Sequence, residues 1–591
     1  MDQQKIRNVA IIAHVDHGKT TLVDQLFRQS GMFRDNQQVS ERLMDSMDLE
    51  KERGITISAK NGTFAHKGHR INIIDTPGHA DFGGQVERVL QMADGCLLLV
   101  DAKEGPMPQT FFVVKKALAA QLPVIVVVNK IDKPAARPEW VVDQVFDLFV
   151  KLGAPDELLD FAVVYASAKD GYAAPALPAT NRQDMSAIAD LIVEQIPPPA
   201  GDQQAPLQMQ VSTLDASPYL GRLAIGKVTS GTLNINHSVV VCKQDGSTKP
   251  ARINKIYHFE GNTKVATNQA ICGEIVAVAG MDDITVGETF TDPDDPRPLP
   301  LFEIDPPTIA MHFIPNDSPF AGLEGKFVTS RHLDERLRRE TIADVALRVE
   351  SLSDGNGFAV AGRGELHLSI LIEQMRREGY EFQVTRPRVI MREQDGVQQE
   401  PYEELTIDVD EQYSGTVIEK LGQLKGKMLE MHQDNGMTRL LYKIPTRGLL
   451  GYRARFMTDT KGMGVMNYVF AEYGPYAGEI RNRSNGALVA KEPCTTVAYA
   501  LCNLQERGRL FIGPGEKVYK GQVIGENSRE GDMVVNPAKG KKLTNMRASG
   551  TDENVILTPP AKMSLEDCIS YINDDELVEV TPASIRLRKA G

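Results

Sequence analysis

No stretch of this 591-residue chain is apolar for long enough to cross a bilayer; the longest runs, such as Leu122 to Val128, have the length of a strand. The opening MDQQKIRN has neither the apolar segment of a secretion signal nor the Arg/Ser-rich character of a transit peptide. A cytoplasmic protein with no membrane partner is expected. Cysteine is scarce. Cys96, Cys242, Cys272, Cys494, Cys502 and Cys568 are scattered, with no CxxC pair and no histidine at ligand spacing, which excludes a structural zinc site and points to reduced thiols. Positive charge is in deficit: 66 Lys and Arg face 79 Asp and Glu, for a net charge of −13. That balance excludes a general nucleic-acid binder, so any RNA contact must come from local basic patches.

What the chain does have is order along its length. Up to residue 200, continuous Val/Ile/Leu runs (NVAIIA, RINIID, CLLLVDA, PVIVVVNK, FAVVYAS) alternate with amphipathic stretches such as Gln109 to Ala119 and Glu139 to Leu152. Such runs fit strands buried on both faces, and the alternation is that of a doubly wound α/β domain. Pro197, Pro198 and Pro199 cannot continue a helix and mark a linker. From 201 to 303, short alternating runs between Gly, Asn and Asp turns read as a small antiparallel β-barrel.

Two segments, 304–395 and 396–480, then follow a similar plan. The first reads as TIAMHFIP, a helix from Asp334 to Glu350, GFAVAGR, a helix from Glu365 to Glu378 and YEFQVTRP. The second reads as EELTIDVD, a helix from about Gly415 to His432, MTRLLYKIP, another helical stretch and MGVMNYVFAEY. Each fits a ferredoxin-like α+β plait with one strand unread. Residues 481–591 form a last, β-rich domain. The expected fold class is thus multidomain α/β and β.

Four short segments carry the chemistry, each at the C-terminal end of an expected strand, where doubly wound sheets bind ligands. Ala13 to Thr20 reads AHVDHGKT, matching GxxxxGK(S/T) except that Ala13 replaces the first glycine. Asp16, His17, Gly18, Lys19, Thr20 and Thr21 would cradle phosphates on backbone N–H groups and a helix start, with Lys19 reaching the β and γ phosphates and Thr20 Oγ1 on Mg²⁺. The imidazoles of His14 and His17 are read as structural. Asp75-Thr76-Pro77-Gly78-His79 closes RINIID. Asp75 suits the surroundings of Mg²⁺, and Gly78 can bring its N–H to the γ phosphate without a clashing side chain.

Asn129-Lys130-Ile131-Asp132 closes PVIVVVNK, and Asp132 can accept two N–H bonds from the guanine edge, which adenine cannot supply. Ser167-Ala168-Lys169 can offer a backbone N–H to guanine O6. GTP or GDP with Mg²⁺ is therefore expected, and a metabolic ATPase or kinase is disfavoured.

AHVDHGKT, DTPGH, NKID and SAK together resemble the translational GTPases, and RGIT (Arg53 to Thr56) resembles their first switch. The resemblance implies that Thr56 joins Thr20 and Asp75 around Mg²⁺, that His79 orients the attacking water, and that Val15 and Ile55 form an apolar gate before it. The barrel and plaits are similar to those of elongation factor G, here its third and fifth domains. Fewer than about twenty residues lie between the last strand read in the first plait and the first strand read in the second, so the tRNA-mimicking fourth domain of that factor is missing. LepA (elongation factor 4) shares the plan and is the nearest rival.

PTRGLLGYRARFMTDTKGMGVMNYVF and NPAKGKKLTNMRASGTDEN instead resemble the BipA/TypA type. That resemblance implies a monomer that works on the ribosome, with rRNA and A-site tRNA as contacts, in large-subunit assembly and stress adaptation. A nucleotide-switched ribosome-binding regulator, in which hydrolysis only times release, would carry the same residues. Among basic patches, Lys539, Lys541, Lys542 and Arg547 have few compensating acids and are the candidate RNA contact. RHLDERLRRE, laced with acids, reads as a solvated face.

Overall fold

The computed structural model describes residues 2–14, 16–31, 48–53, 56–77, 83–179, 183–217, 221–281, 283–302, 306–344, 346–353, 355–434, 436–480, 483, 485–540 and 556–590. They group into two compact units, residues 1–305 with 342–345, and residues 306–341 with 346–591.

The first unit opens with a seven-stranded sheet in the order Lys60–His66, His69–Asp75, Ile6–Ala13, Gly95–Asp101, Val124–Asn129, Ala162–Ser167, Tyr172–Ala174. The five central strands run parallel, and the outermost pair on each side is antiparallel. Ile6–Ala13, Gly95–Asp101 and Val124–Asn129 are buried along their whole length, as their largely apolar sequences require, with Arg7, Asn8, Asp101 and Asn129 the buried polar exceptions. The two edge strands are hard to see in the sequence because KNGTFAH and YAA carry little apolar pattern, and pairing rather than composition makes them strands. Helix Lys19–Gln29 packs Leu22, Val23, Leu26 and Phe27 against Val9, Ile11 and Ile73.

A barrel-like nine-stranded antiparallel sheet spans Gln208–Thr291, with Met209, Ala224, Val228, Val276, Val278 and Phe290 in its core. Polar chemistry joins it to the first sheet. Lys227 Nζ lies 2.5 Å from Asp94 Oδ1, Asn8 Nδ2 donates to Asp94 Oδ2 at 2.7 Å and to the Gly273 carbonyl at 2.9 Å, and Arg70 pairs with Glu274 at 3.1 Å. Burial raises the Asp94 carboxyl above its usual range, and the Lys227 charge and hydrogen bond pull it back.

The second unit contains an eleven-stranded sheet. Its first four strands, Arg348–Ser351, Phe358–Gly362, Ile309–Pro315 and Phe382–Thr385, belong to the first plait. The sheet does not stop there. Phe382–Thr385 pairs antiparallel with Glu576–Val580, and the ladder continues through Ile585–Lys589, Gln522–Asn527 and Ala487–Ala490. The seam holds two fully buried glutamates: Asn316 Nδ2 donates to Glu381 at 2.7 Å and to Glu579 at 3.1 Å, and Glu579 also accepts from Ser318 Oγ at 2.9 Å, Tyr519 Oη at 2.5 Å and Arg586 at 3.1 Å.

Two helices end earlier than their sequences suggest, and each hides the strand missing from its plait. Ser330–Ala343 stops before Arg348–Ser351, so Asp334 to Glu350 is not one helix. Glu411–Gln423 stops at a turn where Lys425 has φ 64°, and Lys427–Asp434 is a strand on Met437–Pro445. KMLEMHQ consists of good helix formers, and tertiary pairing overrides that preference. The second plait thus has the strand order Lys427–Asp434, Met437–Pro445, Val397–Asp410, Val465–Pro475. Residues 481–591 also contain helices Ala498–Gln505 and Leu565–Tyr571, the latter opened by a Ser564/Asp567 capping box.

Candidate nucleotide site

The parallel strands deliver their motif residues to one edge of the first sheet. Ile11 stands opposite Asp75, Asp101 opposite Asn129 and Asn129 opposite Ala166. Past Ala13 the chain turns through Asp16 at φ 65° and Gly18 at φ 95° and enters helix Lys19–Gln29. Gly18 suits that conformation, and a Cβ there would also stand 2.6 Å from Asn129 Nδ2.

Asn129 ties three segments together. Its Nδ2 donates to the His17 carbonyl at 2.8 Å, and its Oδ1 accepts from the Ala168 N–H at 2.9 Å. Lys130 makes a second tie, donating to the Asp16 carbonyl and pairing with Asp101 at 2.9 Å. Lys19 Nζ lies 2.7 Å from Asp75 Oδ1 and 2.5 Å from the Thr76 carbonyl, so its ammonium sits at the end of strand His69–Asp75. Thr76 Oγ1 donates to the Ile11 carbonyl at 2.6 Å and pins that strand's exit beside the phosphate loop.

Asp132 is exposed, and its Oδ1 lies 2.8 Å from Ser167 Oγ. The same hydroxyl lies 2.9 Å from Asp170 Oδ2 and carries one proton, so it serves one carboxylate at a time and leaves Asp132 free to accept from a base. The Thr21 and Lys169 side chains are exposed, Thr20 is partly so, and Thr56 is buried. Thr20, Thr56 and Asp75 offer hard oxygen donors of the kind Mg²⁺ takes alongside phosphate oxygens. Val15, Ile55, Gly78 and His79 lie outside the described residues, as do Lys541, Lys542 and Arg547. Lys539 is described and exposed.

Asp101 and Glu50 join the site although no sequence motif singles them out. Asp101 is fully buried, accepts the Lys103 N–H at 2.7 Å and holds Lys130 and Lys133. Burial pushes its carboxyl up, but those hydrogen bonds and the two lysine charges outweigh burial and bring it to about 2. The Asp of CLLLVDA is the one available signal, since it ends a strand at the same sheet edge. Glu50 is buried too. It accepts the Ile57 and Ser58 N–H groups at 3.0 and 3.2 Å and pairs with Lys60, fixing the backbone just after Thr56.

The Asp101 shift has a pH consequence. Its folded value lies below the ordinary 3.8, so its stabilising effect is complete above about pH 4 and fades as pH falls from 3.8 towards 2. Asp101→Asn should therefore lower the thermal midpoint at neutral pH, with the gap to the parent protein closing below pH 4. A gap that stays constant across a pH series of melts would contradict the assignment.

The basic patches mostly serve the protein itself. In helix Ser330–Ala343, Arg336 pairs with Glu340 at 2.5 Å and Glu378 at 2.7 Å, and Arg338 with Asp334 at 2.7 Å. Arg588 pairs with Asp317 at 2.6 Å, and Lys589 with Asp575 at 2.9 Å.

Residues 4–198 match the family model described as Elongation factor Tu GTP binding domain, and residues 221–291 match Elongation factor Tu domain 2. Residues 397–484 match Elongation factor G C-terminus, and 485–591 match the TypA/BipA C-terminal domain. Over 589 residues the chain is 53% identical to "Large ribosomal subunit assembly factor BipA" of Salmonella typhimurium strain LT2, covering 99% of this chain and 97% of that one. The chain belongs to the BipA/TypA family of translational GTPases.

The relative of the same name from Synechocystis sp. PCC 6803 is 54% identical over 587 residues, covering 99% of this chain and 98% of the relative. A crystal structure from Thermus thermophilus shares the fold at 16% identity, with a TM-score of 0.55 over 80% of this chain and 97% of that one. The BipA/TypA chain described here binds guanine nucleotide and hydrolyses GTP. Full-length similarity to BipA proteins, together with the match of residues 485–591, decides against LepA as its family.

Proposed function

We propose that this GTPase works in the cytoplasm as a monomer on the ribosome, in large-subunit assembly and under stress. Similarity along almost the whole chain to proteins named large ribosomal subunit assembly factors supports this reading. The five segments 1–200, 201–303, 304–395, 396–480 and 481–591 would act as GTPase domain, barrel, two plaits and family-specific domain. rRNA and A-site tRNA are the RNA contacts in this account.

Lys19 and the N–H groups of Asp16 to Thr21 hold the phosphates, while Asp132, Asn129, Lys130 and Ser167 to Lys169 hold the base. Thr20, Thr56 and Asp75 hold Mg²⁺, which would neutralise charge on the β and γ phosphates. Gly78 donates its N–H to the γ phosphate, and His79 orients water once the Val15–Ile55 gate has moved. The ties through Asn129 and Lys130 support this assignment, because they hold base-reading and phosphate-holding segments in one frame.

Co-sedimentation with ribosomes across a salt series tests the ribosomal part. The wild type should pellet more strongly with a non-hydrolysable GTP analogue than with GDP. Changing Lys539, Lys541, Lys542 and Arg547 together to Ala should weaken pelleting and lower the salt slope by about 0.7 to 0.9 for each phosphate no longer neutralised, with GTP affinity unchanged. If the quadruple variant pellets like wild type at every salt, these four residues make no RNA contact. If the wild type does not pellet at all, the ribosomal reading falls.

A further inference from the structure

Within the second unit, a small open cleft lies between the turn after Phe382–Thr385, the segment from Arg447 to Arg455 and the end of helix Leu565–Tyr571. Four arginines line it, Arg386, Arg447, Arg455 and Arg483, and no acidic residue does. For a chain of net charge −13 that is an unusual concentration of one sign.

Two of the four are accounted for. Arg447 forms a two-pronged pair with the fully buried Glu400, at 2.5 and 3.0 Å, and Arg483 pairs with the buried Glu576 at 2.9 Å. Both are locked in place from behind. Arg386 and Arg455 differ. Among the described residues, neither guanidinium has a hydrogen bond or an ion pair. Burial holds Arg386 below the usual arginine range; Asp574 and Glu365 draw it back up, and Arg455 and Arg388 push it further down. A half-buried cation beside other cations is costly unless an anion completes it.

The backbone favours the same charge. Helix Tyr452–Asp459 begins at the cleft, after Gly451 at φ 74°, and a helix start carries partial positive charge. Tyr452, only 3% exposed, also lines the cleft, and its hydroxyl is buried with no hydrogen-bond partner among the described residues. The segment involved, PTRGLLGYRARF, plays no part in the nucleotide site.

We propose that this arginine cleft binds a phosphate group, with Arg386 and Arg455 as its direct contacts and Arg447 and Arg483 as its fixed walls. Guanidinium is the side chain best shaped for a phosphate's paired oxygens. Both a free polyphosphate and an RNA backbone present the phosphate it would take.

The test uses the full chain saturated with GDP, so that the nucleotide site is closed to competitors. Inorganic pyrophosphate and a short single-stranded RNA are titrated separately into wild type, Arg386→Gln/Arg455→Gln and Arg453→Gln, an exposed arginine outside the cleft. Thermal melts without probe confirm that the variants are folded; if the double variant is not, Arg455→Gln alone, an exposed position, is read in its place.

The double variant should lose about fivefold or more in affinity for the probe whose phosphate the cleft takes, and Arg453→Gln should not. Loss for pyrophosphate alone identifies free phosphate as the source. Loss for RNA alone, with the salt slope lower by about 0.7 for each phosphate bound, identifies the backbone. Loss for both identifies a general phosphate site. Unchanged affinity for both probes, no binding of either by wild type, or an equal loss in Arg453→Gln would overturn the proposal.

Discussion

Replacing His79 with alanine is expected to lower ribosome-stimulated GTP turnover by about a hundredfold or more while nucleotide binding and ribosome association persist. The expectation follows from how the described residues lead up to position 79. Asp75 and Thr76 are buried at the end of strand His69–Asp75, Thr76 is tied to Ile11, and Lys19 is held against both. Strand His69–Asp75 therefore ends at a fixed point beside the phosphate loop. In the proposed account His79 meets the water attacking the terminal phosphate and has no part in holding the base, a role assigned to Asn129, Asp132 and Ser167. Single-turnover hydrolysis with ribosomes, alongside nucleotide titration of the free protein, checks both halves. Stimulated hydrolysis at the wild-type rate in His79→Ala would refute the role.

Asp132→Asn should shift base preference from guanine to xanthine. In GTP the carboxylate accepts two N–H bonds, and at about 1.5–3 kcal/mol for each bond to a charged group the loss is on the order of a hundredfold to ten-thousandfold in affinity. Asparagine can still receive the Ser167 hydroxyl, which now lies 2.8 Å from Asp132 Oδ1, so the fold should survive the change. The amide then offers a donor to the 2-oxo group of xanthine. Titration of GDP and XDP against both proteins measures the exchange, and unchanged GDP affinity would remove Asp132 from the base site.

The nucleotide domain is legible in the sequence because its signals reinforce one another. Strands buried on both faces are written as unbroken apolar runs, and each motif closes such a run. Asn129 reads as part of a base-reading motif, but its tie to His17 joins residues 112 positions apart and leaves no local trace. Asp101 leaves only its place at the end of CLLLVDA as a signal, because its lysine partners become neighbours only once the strands align. Farther along, Lys427–Asp434 misleads because Met, Leu and Glu favour a helix until Met437–Pro445 offers a ladder. The shared sheet of the first plait and the last domain is beyond the reach of sequence, since Phe382 meets Val580 from far along the chain and nothing in either strand names the other.

GTP turnover by the purified full-length chain, measured with and without ribosomal particles at one nucleotide concentration, tests the central claim most directly. A slow intrinsic rate is expected, because the four nucleotide motifs carry no arginine and the switch motif carries Arg53 alone, which offers no obvious arginine finger, and ribosomes should raise that rate strongly. Equal rates with and without ribosomes would contradict the account.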